Sequence, residues 1–170
     1  MRSHDKKRRG PAYLASLGIL LALALLLGYV EVLLPLPFGV PGMKIGLSNL
    51  VVLFALYRYG WPESAVLMVA KVTLTSLLFS GGMAFLYSLV GGSFSFLGMC
   101  ALKKTGRLGI LPVSTFGGVL HNLGQLLIAF LFIPSFNLLY YLPVLLFFGA
   151  GAGFLVGILA QEILIRLPKR

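Results

Sequence analysis

Val40-Pro41-Gly42-Met43-Lys44-Ile45-Gly46-Leu47-Ser48-Asn49 stands between two long apolar runs, directly after Pro35-Leu36-Pro37-Phe38-Gly39. Proline fixes the backbone and removes a donor, while glycine frees it, so no single helix runs through this stretch. It is a loop followed by a helix start. The rest of the chain reads as helices able to hold that loop over a pocket, and Lys44 is the only cation that this topology leaves on the side opposite the other lysines and arginines.

The 170 residues are 59% hydrophobic and 11% charged. Soluble domains carry about 25% charged residues, and the mean hydropathy of +1.00 points the same way. The expectation is an all-α, polytopic membrane protein. Residues 1–11 form a basic cytoplasmic tail and 12–170 one transmembrane domain. Six helices are expected, over Ala12–Leu34, Ile45–Tyr59, Pro62–Phe79, Met83–Leu102, Ile110–Ile133 and Leu138–Leu167. A span of hydrocarbon takes about 20 apolar residues, and its backbone must satisfy itself as a helix; the second of these runs is short.

The net charge of +10 does not describe a nucleic-acid surface, because the cations are not gathered on one face. They fall at the ends of apolar runs: Arg2, Lys6, Lys7, Arg8 and Arg9 in the tail, then Arg58, Lys103, Lys104, Arg107, Arg166, Lys169 and Arg170. With an even number of spans this predicts both termini in the cytoplasm of a multi-pass cell-membrane protein. The first run is too long for a signal peptide's apolar core and reads as an uncleaved span. Cys100 is alone, so no disulfide or multi-cysteine metal site is expected.

Ionisable and amide groups inside the spans are expensive and carry the functional reading. Lys71 lies mid-span, with Thr75 one turn outward on the same face; either Glu31 pairs with it structurally or it meets a ligand directly. His121, Asn122 and Gln125 form one polar patch among Gly117, Gly118 and Gly124, either as interhelical hydrogen bonds or as a ligand site. Asn49 either caps the second helix or faces the same space. With Tyr87 beside Ser88 and with Lys44, the expected ligand-binding set is Glu31, Lys44, Asn49, Lys71, Tyr87, His121, Asn122 and Gln125, suited to a small amphipathic or anionic molecule arriving from outside. Gly149, Gly153 and Gly157 make a close-packing ridge on the sixth helix, and Gly18-x-x-x-Ala22 and Ala24-x-x-x-Gly28 do so on the first. There is no phosphate-binding Gly-Lys-Ser/Thr loop, no paired carboxylates, no metal site, no cofactor and no nucleophile–base set, so the chain is expected not to be an enzyme.

The quoted loop, together with Tyr59-Gly60-Trp61 and His121-Asn122-Leu123-Gly124-Gln125, resembles the Gx transporter family of bacteria, often labelled heptaprenyl diphosphate synthase component I. That family is similar to the substrate-binding S components of energy-coupling factor transporters. The resemblance implies a six-helix bundle that captures a quinone-, isoprenoid- or vitamin-related molecule and works with a transmembrane T subunit and cytoplasmic ATPases. It also implies a T-subunit contact at an Ala-x-x-x-Ala motif, whose nearest matches here are Gly18, Ala22, Ala24 and Gly28. The other label implies an accessory subunit of heptaprenyl diphosphate synthesis in menaquinone biosynthesis. A catalytic prenyl synthase holds its magnesium ions on aspartate clusters, and this chain has one aspartate, Asp5.

Overall fold

The computed structural model describes residues 10–33, 46–132 and 136–167. Lys44, most of the quoted loop and the first nine residues of the tail lie outside them. Six α-helices follow in order: α1 Pro11–Leu33, α2 Asn49–Arg58, α3 Trp61–Thr75, α4 Gly81–Lys104, α5 Ile110–Phe132 and α6 Leu142–Arg166. A wider π-helical turn, Ser76–Ser80, joins α3 to α4, and a 3₁₀ segment, Phe136–Tyr141, leads into α6. The described chain is all-helical.

Local chemistry sets the ends. Gly60 takes a φ of +116° that breaks the chain between α2 and α3, and Pro62 follows in the first turn of α3, where its missing N–H costs nothing. Glu63 in that first turn, and Arg58, Lys103, Lys104 and Arg166 in last turns, each suit the helix dipole. Gly81, at φ +79°, turns the chain back after the π-helical segment. Met68 and Val72 of α3 consequently face Gly92 of α4 in an antiparallel hairpin.

Four helical stretches are long and apolar enough to cross a membrane: Pro11–Leu33, Trp61–Lys104, Ile110–Phe132 and Leu139–Arg166. This corrects the expected count of six. The third and fourth expected spans form one helical stretch of 44 residues, folded back on itself. The second is a helix of only ten residues, about 15 Å long. Burial explains how so short a helix persists. Val51, Val52, Leu53, Ala55 and Leu56 are almost wholly enclosed, and α2 forms the centre of the bundle, packed by α1, α3 and α6. Its partners in the core are Met68, Val72, Phe96, Met99, Val113, Val156 and Ala160. Around them Ile19, Val66, Leu77, Leu97, Leu131, Phe147 and Ile165 point outward, an apolar exterior made for lipid.

Glycines set the tightest contacts. A Cβ on Gly118 of α5 would fall on the carbonyl oxygen of Gly149, and one on Gly153 of α6 would sit 2.5 Å from the Ser114 carbonyl. The ridge Gly149-Gly153-Gly157 is therefore filled by α5, and Ser114 Oγ locks the seam by donating to Gly153 O at 2.6 Å. Gly91 and Gly124 let α4 and α5 approach in the same way.

One end of the bundle is basic. Lys103 donates to the Leu56 carbonyl and lies 4.7 Å over the Tyr57 ring. Tyr13 of α1 donates to Glu63 of α3 at 2.6 Å at that end.

Candidate functional site

The groups that the bilayer makes expensive lie in the half of the bundle away from this basic end. Glu31, 9% exposed near the end of α1, turns inward onto the approach to α2. Its Oε1 accepts the N–H of Gly46 and that of Leu47 at 2.8 Å; its Oε2 accepts the Ser48 hydroxyl at 3.0 Å and the Ser48 N–H at 3.4 Å. Gly46 carries a φ of +80°, and the three amides in a row aim at one carboxylate. Ser48 makes no capping bond of its own to α2. A side chain 15 or more residues upstream thus satisfies donors that the helix start would otherwise leave open.

Lys71 is 7% exposed and donates to Asn49 Oδ1 at 2.6 Å. Of the two roles open to Asn49, it fills the second, facing the interior and receiving the ammonium. Glu31, Ser48, Asn49, Lys71, Thr75, Ser88 and His121 line one cavity, with Gly28, Gly46 and Val72 completing the wall. Five helices contribute to it. Thr75 Oγ1 is buried there and has no hydrogen-bond partner among the described residues. Gly28 makes room for that hydroxyl, since a Cβ on it would come within 3.3 Å of Thr75 Oγ1.

The cavity is small, about 30 Å³. A second void of similar size shares Gly46, Asn49 and His121 with it and reaches between α5 and α6. One water needs about 10–15 Å³ on such a measure, and a whole small-molecule site usually needs about 300 Å³ or more. The cavity as closed therefore has the size of a polar head's seat. A larger apolar groove of about 320 Å³, lined by Thr73, Ser76, Leu77, Gly81, Gly82 and Phe85, opens at the α3–α4 turn. Consecutive residues, Thr75 and Ser76, face the polar cavity and the groove respectively.

The expected set divides. Glu31, Asn49, Lys71 and His121 come together. Tyr87 does not line the cavity; its neighbour Ser88 does. Asn122 turns to α6, where Nδ2 donates to the Leu145 carbonyl at 2.7 Å. Gln125 packs against Gly91 in the α4–α5 seam. Lys44 lies outside the described residues. On α1, Gly18 and Ala22 face outward, whereas Ala24 and Gly28 are buried against the bundle's own side chains. The lining residues not placed in the site beforehand are Gly28, Gly46, Ser48, Val72, Thr75 and Ser88. Ser48 belongs to the quoted loop, and Gly28 was read as an outward contact.

These features define a class: an all-helical bundle of membrane-crossing length with a small, charged cavity remote from its basic end. The chain belongs to the heptaprenyl diphosphate synthase component I family, whose model matches residues 20–163. Comparison with curated proteins and with solved structures found no match.

Proposed function

We propose that this chain is the substrate-binding membrane subunit of a small-molecule importer, similar to the S components of energy-coupling factor transporters. Its cargo would be a quinone-, isoprenoid- or vitamin-related compound. In this reading α2 is held in the bundle centre, both termini are cytoplasmic, and the polar cavity lies in the outer half. Transport energy comes from outside the chain, through a transmembrane T subunit and cytoplasmic ATPases that meet the outward face of α1 at Gly18 and Ala22.

The observation that carries this reading is the convergence of Glu31, Asn49, Lys71, Thr75, Ser88 and His121 on one cavity. A lysine within the bilayer costs about 2.5–3.5 kcal/mol on insertion scales, and Lys71 turns that charge into the shared cavity rather than toward lipid. The apolar groove at the α3–α4 turn offers a place for an apolar part of the cargo. Detergent-purified protein is expected to retain a cell-derived small molecule, and a deletion strain to lose its uptake. No retained molecule together with unchanged uptake would remove this reading.

The family description favours a second reading: a non-catalytic membrane subunit that works with a separate synthase component in heptaprenyl diphosphate formation. Capture of a soluble prenyl synthase by the tagged chain, and an altered product chain length on deletion, are the outcomes that select it.

A further inference from the structure

The bonds around Glu31 have the form of an occupied anion site. Two oxygens of one group take three backbone N–H groups and one hydroxyl, with Lys71 and Thr75 on the same cavity wall. Any oxyanion of that size, a carboxylate or a phosphate, would find the same donors. The amides at the start of α2 would not suffice as evidence of a site. Thr75 supplies the independent observation: a residue 9% exposed that lines the cavity, whose buried hydroxyl oxygen has no partner among the described residues. It is a spare donor that Glu31 leaves unused.

We propose that the Gly46–Ser48 amides, with Lys71 and Thr75, are the seat for the oxyanion head of the ligand, and that Glu31 fills this seat as a built-in competitor until the ligand displaces it. This rests on the reading that the cavity receives cargo, and it names the chemical class of that cargo: a molecule ending in a carboxylate or phosphate. It also explains how so small a cavity serves a larger molecule. Room for the head is created by exchange, because the carboxylate that leaves vacates a space of the ligand head's own dimensions. With Glu31 in place the start of α2 keeps its donors satisfied, so the empty protein stays closed.

The test is equilibrium binding of radiolabelled inorganic phosphate to the detergent-purified full chain, with unlabelled acetate as competitor. Glu31→Gln keeps the shape and leaves a neutral, weaker acceptor. It is expected to bind phosphate at least tenfold more tightly than the unmodified protein. Adding Thr75→Val is expected to remove most of that gain, and adding Lys71→Met all of it. Competition by acetate assigns the seat to carboxylates as well; phosphate binding that acetate does not touch assigns it to phosphates. Glu31→Gln that folds but binds phosphate no better, or binding indifferent to Thr75→Val and Lys71→Met, overturns the proposal. So does a cell-derived ligand that Glu31→Gln loses, which would make Glu31 a ligand contact. Should Glu31→Gln fail to fold, phosphate added to the unmodified protein must shift a buried carboxylate band in the infrared difference spectrum, and no shift overturns it. The capture reading is judged separately: a retained ligand and measurable uptake uphold it even if the exchange fails.

Discussion

At the scale of the residue, adjacent polar side chains on α5 separate into different jobs. His121 faces the cavity, Asn122 crosses to α6 and Gln125 sits in the α4 seam. Lys71→Met is expected to lower ligand retention at least tenfold, read by mass spectrometry of the purified protein, while the bundle stays folded. Asn122→Ala should do the reverse. It removes a buried interhelical bond of 2.7 Å, worth about 0.6–1.7 kcal/mol, so the unfolding midpoint falls and ligand retention is unchanged. That Glu31, Lys71 and His121 turn inward was an expectation from the sequence, because charged and amide groups inside a span avoid lipid; that they meet at one cavity could not be read there. The finer assignment was not legible either. One residue along a helix is a rotation of about 100°, and placing Ser88 rather than Tyr87 at the cavity depends on how α4 is turned, which an almost uniformly apolar helix does not reveal.

At the scale of the element, glycines do two different things. Those of α5 and α6 are filled by their neighbour, and the sequence ridge at Gly149, Gly153 and Gly157 announced it. Gly118→Val is expected to prevent a stable bundle, since the new side chain meets the backbone carbonyl of Gly149, which has no room to yield. Gly98→Ala should be milder, because its one hard overlap is with the flexible end of Leu120. Both are checked by thermal unfolding in detergent. Gly18 has open space around it, so Gly18→Leu should leave stability within about 0.5 kcal/mol. Uptake lost at unchanged stability would mark this face as the docking face; unchanged uptake would move docking elsewhere. The four-residue spacings on α1 look alike in sequence, yet Ala24 and Gly28 turn in while Gly18 and Ala22 turn out. The shortness of α2 was visible in the sequence, but its apolar residues pass for a span although they are the centre of the core.

At the scale of the whole molecule, Arg58, Lys103, Lys104, Arg107 and Arg166 among the described residues lie at one end, and the buried Glu31 and Lys71 lie toward the other. That polarity predicts orientation. In a Cys100→Ser background, Arg107→Cys should react with a membrane-impermeant maleimide only after the cytoplasmic side is opened, and Gly82→Cys from the outside of intact cells; labelling of both from one side would contradict the hairpin as a membrane crossing. The family and the all-helical class were readable from the quoted motifs and composition, whereas the closed size of the cavity depends on how five helices meet and could not be. The central claim is that this cavity captures a small molecule. Native mass spectrometry of the detergent-purified chain tests it most directly: one small molecule per chain in the unmodified protein and none in Lys71→Met is the predicted result, and an unmodified protein that carries nothing, from cells whose uptake does not depend on it, would contradict the account.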